Sequence, residues 1–450
     1  MLITFSRLAM LFILGSQVAC IGREAGSDKD YAADVGSLIV GGRDDVSETH
    51  KLPASGAGFG SHLKSAIIQN PSVAAAQYAS SGAQSAIKSA GSGLRPQISG
   101  SALMGAHRND LGASSTEAGA ALNARLSQLI YDGGLAESSV SIAEIKSQLA
   151  ESAVLLAVND AATQAVNVWL ATWRAQSDLA ALESLEKEVR PHVEQVERMA
   201  ASGIVDRSVS DVIATRLLEL ELAKQDVASE LSAASYSFGK TFGLSPWKIS
   251  YPELAFDIQK LEVDKLVVSE IPALREGALR LMLALEQQKL AEAKYAPRVS
   301  FDVGASSPID RGDQPTGQIG LNVAYTFYDG GKRDADVEQA KADVEQAQYS
   351  LSSLRQQLDT TLNQLRQRRA YLKASADLTA QKVAVLVRRL ETAASQIQTG
   401  QADISKVFEM KVQMRQLKAS QLRARSDLRS VEYELGSIIG LISFPQIIDG

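Results

Sequence analysis

An eleven-residue segment occurs twice in this chain, and each copy ends in Tyr-Asp-Gly followed by a second glycine. The first copy, at 123–133, is NARLSQLIYDG, and the second, at 320–330, is GLNVAYTFYDG. Apolar and polar residues alternate before the Tyr-Asp-Gly, which predicts a strand with two unlike faces. Beyond it, a charged stretch rich in Ala, Leu and Gln runs for dozens of residues without a turn signal, which predicts a very long helix.

Each copy therefore marks an abrupt joint between a strand and a helix. Glycine adopts the positive φ angles that such a bend requires. The joint residues are Tyr131, Asp132, Gly133, Gly134, Tyr328, Asp329, Gly330 and Gly331.

The repeat extends well beyond the joint. Pro96 recurs 201 residues later as Pro297, whereas from the joint onward the spacing is 197 residues, as between Gly203 and Gly400. The difference assigns the segment between the proline and the joint to a loop of variable length. Gly203 and Gly400 are predicted to form turns at the far ends of the long helices.

The chain is predicted to consist of two repeats with flanking segments. They are a signal peptide at 1–20, a flexible leader at 21–60, repeat 1 at 61–244, a connector at 245–269, repeat 2 at 270–442 and a tail at 443–450. Each repeat contains a helix, two strands, a long helix and a returning helix. The strands are predicted at 97–106, 120–131, 298–305 and 319–328.

Strands of about ten residues with alternating faces are long enough to cross an outer membrane at a tilt. A charge that faces lipid at mid-depth costs about 2–4 kcal/mol, so Arg125, Arg298 and Asp302 are predicted to face a water-filled lumen. Four strands cannot close a barrel alone, because the smallest barrels have about eight. The predicted fold class is a mixed α and β membrane protein whose chains must associate.

The two long helices are predicted between Gly134 and Gly203 and between Gly331 and Gly400, a length of roughly 100 Å. Their leucines and valines recur at steps of three and four residues, as in coiled coils. Pro191 interrupts the first helix and has no counterpart in the second. A local kink or break is predicted there.

The N-terminus has the pattern of a secretory signal. Residues 1–19 contain Arg7, a short apolar run and small residues, and the run is too short to span a membrane as a helix. The sequence VAC at 18–20 is similar to a lipoprotein box, but Gln17 stands where leucine is usual. Two outcomes remain open, lipidation of Cys20 or ordinary cleavage near it. Cys20 is the only cysteine, which excludes an intramolecular disulfide.

Composition and motifs argue against catalysis. The net charge is -6 with scattered Lys and Arg, so no nucleic-acid surface is indicated. The four histidines show no metal-ligand spacing, and the sequence has no phosphate-binding G-x-x-x-x-G-K-[ST] loop. Two Ser-x-x-Lys matches, at 61–64 and 85–88, lack the other elements of serine enzymes. The sequence predicts neither an enzyme nor a cofactor or metal site.

From about 61 to 442 the chain resembles the TolC-like outer-membrane efflux protein family. The resemblance is carried by the order of Asn70-Pro71, the prolines before the strands, the two Tyr-Asp-Gly-Gly joints and the two turn glycines. It implies a homotrimer with a twelve-stranded β-barrel in the outer membrane, continued by a long α-helical barrel in the periplasm. It also implies contact with outer-membrane lipid, a periplasmic adaptor protein and an inner-membrane transporter of the ABC or RND type.

Members of that family close the periplasmic tip with side chains just after the turn glycine, often acids. The candidates here are Asp206, Asp211, Asp403, Lys406 and Glu409. Alternatively, Asp206 and Asp403 cap the returning helices, and Lys406 and Glu409 lie on a solvated helix face. A ring of acids would favour cations, and a ring of lysines would weaken that preference.

The joint also bears on the cargo. Tyr-Asp-Gly-Gly resembles the branch linked to type I protein secretion, because drug-efflux channels more often carry Trp/Leu-Asp-Leu-Phe-Gly at this position. The lipoprotein-like box points instead to multidrug or small-molecule efflux. A periplasmic coiled-coil scaffold or adhesin is a further alternative, but such a rod has no need of two-faced strands. We expect a passive exit duct driven by an inner-membrane transporter, for type I secretion before small-molecule efflux.

Overall fold

A computed structural model describes residues 58–108, 116–254, 256–257, 271–308, 314–398 and 404–442. The predicted signal peptide with Cys20, nearly all of the predicted leader, much of the predicted connector, the predicted tail, Gly400 and Asp403 lie outside the described residues.

Apart from an additional first helix, α1, the two repeats contain the same succession of helices and strands. The first has α1 (Phe59–Ile68), α2 (Pro71–Gly91), β1 (Gln97–Arg108), β2 (Thr116–Tyr131), α3 (Leu135–Ala201) and α4 (Arg207–Phe242). The second has α5 (Pro272–Ala293), β3 (Arg298–Pro308), β4 (Thr316–Ala324), α6 (Lys332–Gln398) and α7 (Ile404–Ile438). The two long helices, α3 and α6, each have 67 residues, which is roughly 100 Å and agrees with the prediction.

The helical part is organised around α3, which contacts α1, α2, α4, α5 and α7. Trp169 lies half-way along α3, and its side chain is 2% exposed. Five rings surround it among the described residues, those of Phe59, His62, Phe238, Phe242 and Trp247. Its indole N–H donates to the carbonyl oxygen of Ser250 at 2.9 Å, which fixes the start of the connector against the middle of the helix.

The apolar character of α3 follows from this packing. Among the described helices, α3 alone contains an 18-residue window long and apolar enough to cross a membrane by composition, and half of that window is buried inside the protein. An apolar helix buried by its neighbours is the expected core helix of such a bundle.

Beyond Trp169 the predicted coiled-coil stripe of α3 is confirmed. Five of its residues are buried in one cluster with α4 and α7, namely Leu182, Leu185, Val189, Val193 and Val196. Pro191 lies inside this stretch, and α3 continues through it, so the helix is not broken there and only a local kink stays a prediction. Burial of Val189 and Val193 on either side holds the helix in place despite the hydrogen bond that proline cannot donate.

The four strands form one antiparallel sheet in the order β1-β2-β3-β4. In its register Ser127 of β2 lies opposite Asp302 of β3. β1, β2 and β3 extend further toward the loops than predicted, whereas β4 ends at Ala324, four residues before the predicted end. β4 ends there because Ala324 lies opposite Arg298, the first residue of β3, so no β3 residue remains to pair with Tyr325.

The two joints have the same geometry. Gly133 and Gly134 have φ of +71° and +90°, and Gly330 and Gly331 have +75° and +86°. Asp132 caps α3, because its two carboxylate oxygens accept hydrogen bonds from the backbone N–H groups of Gly134 (3.1 Å) and Ala136 (2.9 Å).

Asp329 caps α6 in the same way, accepting from the N–H groups of Gly331 (3.2 Å) and Arg333 (3.1 Å). The Arg333 side chain adds a third hydrogen bond, from Nε, at 2.7 Å. Partial burial acts to raise the pKa of Asp329, but the bonds from Arg333 outweigh it and hold this pKa below its ordinary value. The charged cap therefore contributes stability at neutral pH that is lost as the pH falls through the lowered pKa.

Close packing distinguishes the two glycines of the first joint. A Cβ at Gly133 would lie 2.1 Å from Cβ of Ala296, whereas a Cβ at Gly134 would have no heavy atom within 4 Å. Gly133→Ala should therefore suffer left-handed strain of about 1–2 kcal/mol and a clash worth about 1–3 kcal/mol more, and Gly134→Ala only the strain. Thermal unfolding followed by circular dichroism in detergent should give the lower midpoint for Gly133→Ala. Equal midpoints would contradict the close approach of Ala296.

Candidate functional site

The sheet is a single layer with two chemically different faces. Register places apolar side chains on one face, which are Ile98, Ala102, Met104, Leu122, Ala124, Leu126, Val299, Phe301, Val303, Ala305, Ile319, Leu321 and Val323. Polar side chains occupy the other face, which are Gln97, Ser99, Ser101, Asn123, Arg125, Ser127, Arg298, Ser300, Asp302, Gln318 and Asn322. Leu103 and Leu129 lie on the polar face, and Gln128 lies on the apolar face opposite Phe301. Apart from such exceptions, the predicted alternation of the strands is confirmed.

The apolar face is exposed within the chain. Ile98, Met104, Ile319 and Leu321 are 79%, 84%, 73% and 68% exposed. An apolar area of this kind on an open sheet needs a hydrophobic surrounding, which lipid supplies.

The polar face carries the three charged residues predicted to face water. Arg125 and Asp302 form an ion pair across β2 and β3, with 3.1 Å between Nη2 and Oδ2. Ser300 Oγ donates to the same carboxylate at 3.1 Å. Arg298 is exposed on this face and takes part in no ion pair within the described residues. The sequence predicted that all three charged residues share one face. It could not predict which of them form an ion pair, because that depends on the register between β2 and β3.

Large aromatic side chains gather where the sheet ends and the helices begin. Tyr131, Phe327 and Tyr328 are 52%, 89% and 85% exposed, and the rings of Tyr325 and Phe327 lie 4.9 Å apart in a T-shaped contact. Exposed Tyr and Phe at the border of an apolar band are typical of the boundary between lipid and water. The joints therefore lie at the expected membrane surface.

The opposite end of the molecule is the turn between α3 and α4. Gly203 has a φ of +71° and reverses the chain direction. Asp206 is the N-cap of α4, and its carboxylate accepts from the Ser208 N–H at 2.8 Å. Hydrogen bonds from the hydroxyl and then the backbone N–H of Ser208 lower the pKa of Asp206. The structure thus shows the capping alternative for Asp206, while Asp403 and Gly400 lie outside the described residues.

The other tip candidates lie on solvent-exposed helix faces. Asp211 is exposed in α4, and Lys406 and Glu409 are exposed in α7, beside buried Val407 and Phe408. A hydrogen bond to Glu219 and, to a smaller extent, the negative charge of Glu409 raise the pKa of the Arg216 guanidinium in α4. The single chain thus shows no converging ring of acids among its described tip residues.

No group of three or more His, Cys, Asp or Glu residues in the described part of the chain could hold a metal ion. What the sequence reasoning missed is structural, namely the capping roles of Asp132 and Asp329 and the exposed rings of the joints.

Comparison with known proteins supports the resemblance. The model of the outer membrane efflux protein family matches residues 266–441, which correspond to the second repeat. No curated protein matches the sequence.

Solved outer-membrane channels share the fold over most of the chain. CusC is 15% identical, with a TM-score of 0.72 over 88% of this chain and 99% of that one. The CmeC outer membrane channel of Campylobacter jejuni is 13% identical, with a TM-score of 0.72 over 89% and 90%. The open state of the MtrE outer membrane channel of Neisseria gonorrhoeae is 12% identical, with a TM-score of 0.70 over 84% and 88%.

The two lines of comparison agree with the two-faced sheet and the long helices. The resemblance to the TolC-like outer-membrane efflux protein family is supported by sequence in the second repeat and by fold over most of the chain.

Proposed function

We propose that this chain is one protomer of a homotrimeric exit channel through the outer membrane. The observation that carries the proposal is a single-layered sheet with one apolar and one polar face, continuous with two 67-residue helices. The apolar face contacts lipid, and the polar face lines the water-filled lumen. The helices extend the wall of the channel into the periplasm.

The open edges of the sheet support a trimer. β1 and β4 are each paired on one side only. In lipid an unpaired edge leaves N–H and C=O groups without partners, at a cost of several kcal/mol for each group. Three copies give twelve strands, enough for a closed barrel, when β4 of one copy pairs with β1 of the next.

The channel is passive, and its energy comes from partners. We infer a periplasmic adaptor protein at the helical end and an inner-membrane transporter of the ABC or RND type, as the family resemblance implies. The polar face of the sheet offers hydrogen-bonding groups and the Arg125–Asp302 pair to a solvated cargo.

For the cargo we propose protein, exported by type I secretion. The support is the Tyr-Asp-Gly-Gly joint in both repeats, which resembles the secretion-linked branch. The second candidate is multidrug or small-molecule efflux, which the family description and the lipoprotein-like segment around Cys20 favour. A coiled-coil scaffold without a channel fits less well, because it gives the lipid-like face of the sheet no role.

The assembly can be tested at the strand edges. The repeat spacing is 197 residues between β2 and β4 and 201 residues between β1 and β3. The counterparts of the paired residues Ser127 and Asp302 are therefore Ala324 and Ser101. Ala324 of β4 is thus expected to lie opposite Ser101 of β1 in the next copy. The variant Ser101→Cys/Ala324→Cys should form disulfides between copies, seen on non-reducing gels as a ladder ending at the trimer. Ser101→Cys/Gln318→Cys, on the same face but six residues out of register, is the matched control. A monomer in both variants would contradict the trimer.

The cargo can be tested by deleting the gene. We expect at least one protein to disappear from the culture medium of the deletion strain, and the wild-type gene to restore it. Sensitivity to toxic small molecules is measured in the same strains. Unchanged secretion together with hypersensitivity would overturn the secretion proposal in favour of efflux. The absence of ion conductance by the purified protein in planar bilayers would contradict the channel itself.

The periplasmic aperture can be tested through its charges. We propose that Lys406 lines it, together with Asp211, Asp403 and Glu409, while Asp206 caps α4. Lys406→Asp should then move the reversal potential in a salt gradient toward stronger cation preference. Lys418→Asp, the same charge change at an exposed site further along α7, should leave the potential unchanged. If Lys406→Asp also left it unchanged, Lys406 would not lie at the aperture.

A further inference from the structure

The polar face of the sheet exposes its positive charge and covers its negative charge. In the ion pair across β2 and β3, the side chain of Arg125 is 57% exposed and that of Asp302 only 11%. Ser300 donates a further hydrogen bond to the same carboxylate. The pair therefore leaves the guanidinium in contact with water and the carboxylate largely covered.

Arg298 adds a second cation to the same face. It is the first residue of β3, lies opposite Ala324 of β4 and is exposed. Four residues separate it from Asp302, which sets the two levels of charge about 13 Å apart along β3. Within the described residues Arg298 takes part in no ion pair, so its charge is not neutralised locally.

Acids in and after the second joint have partners of their own. Asp329 pairs with the Nε of Arg333 at 2.7 Å. Asp336 pairs with two lysines, Lys294 at 3.0 Å and Lys332 at 2.9 Å. These carboxylates are therefore already engaged and do not neutralise the cation at the start of β3.

The first repeat begins its strand without such a cation. At the repeat spacing of 201 residues, the counterpart of Arg298 is Gln97, the first residue of β1. The Gln97 side chain donates to the backbone carbonyl oxygens of Ser92 at 2.7 Å and Arg95 at 3.3 Å. The strand starts equally well with a neutral residue, so the fold itself does not require Arg298.

The charges matter more in a closed lumen than on an open sheet. Low-dielectric walls around water focus the field of the charges that line them. This field extends about 10 Å into the water at 0.1 M salt and only about 3 Å at 1 M. Each copy contributes two exposed guanidiniums and one covered carboxylate, so the lumen of the proposed trimer is positive at low salt.

We propose that Arg298, together with the exposed guanidinium of Arg125, makes the sheet-lined part of the lumen a binding section for acidic polypeptide segments. The inference rests on the proposed channel and specifies the charge of the cargo that it favours. A guanidinium binds a carboxylate through two parallel N–H groups, which suits Asp and Glu side chains of an unfolded cargo. Arg298 is then a specificity-determining residue of the channel.

The test measures block of the ion current by charged peptides in planar bilayers. The long helices stay on the side to which the purified protein is added, so the peptide is added on the opposite side, next to the sheet. At 0.1 M salt we expect a short polyglutamate to block the current and a polylysine of the same length to block it far less. The block should disappear at 1 M salt, because the field is then screened.

Arg298→Gln should weaken the polyglutamate block severalfold, and Arg298→Lys, which keeps the charge, should retain most of it. The matched control is Gln97→Arg/Arg298→Gln, which moves the guanidinium to the counterpart position in the first repeat and should restore the block. Asp302→Asn tests the opposite direction, because it removes the covered carboxylate and leaves Arg125 unpaired. Its block should be stronger than that of the parent protein.

Equal block of the parent protein and Arg298→Gln would overturn the binding section and leave the channel standing. The same holds if polylysine blocks as well as polyglutamate, or if the exchange of Gln97 and Arg298 restores nothing. If Arg298→Gln does not assemble, an unchanged or weaker block in Asp302→Asn would overturn the inference instead. The absence of any current through the parent protein would overturn the channel and the binding section together.

Discussion

The need to pair every backbone N–H and C=O group in lipid is the constraint on which this structure depends. One chain satisfies it inside its four-stranded sheet and leaves it unmet at β1 and β4. No rearrangement of four strands removes two edges, because a closed barrel needs about twice as many. The channel is consequently a property of the proposed assembly, and an isolated chain in the membrane would expose two rows of unpaired backbone groups.

Where the sheet changes to helix, hydrogen bonds between neighbouring strands are replaced by hydrogen bonds within a single helix. Asp132, directly after β2, and Asp329, five residues after the end of β4, make the transfer abrupt, because each carboxylate accepts hydrogen bonds from the first N–H groups of a long helix. Exposed aromatic rings lie at the same level. The border between lipid and water, the end of the sheet and the start of the helices therefore coincide within a few residues.

Much of this architecture was predictable because it is periodic. The alternation of the strands, the equal lengths of α3 and α6 and the buried stripe around Val189 all follow from spacing, and all agree with the structure. The early end of β4 was not predictable, since it depends on where β3 begins. Neither was the continuity of α3 through Pro191, which depends on burial by α4 and α7. Of the tip candidates, Asp206 could be predicted as a helix cap. The residues that line an aperture could not be predicted, because an aperture is formed by several copies and the sequence pattern describes only one chain.

The equal length of α3 and α6 has a consequence for how such a protein can change over time. Each residue adds about 1.5 Å, so a seven-residue insertion in one long helix alone would set its end roughly 10 Å beyond the other. In the proposed trimer, the periplasmic rim would then alternate between long and short helical hairpins, and the proposed adaptor protein would contact only half of them. Insertions that lengthen the long helices must therefore come in matched pairs, one in each repeat, so the lengths of the two repeats are expected to change together in evolution.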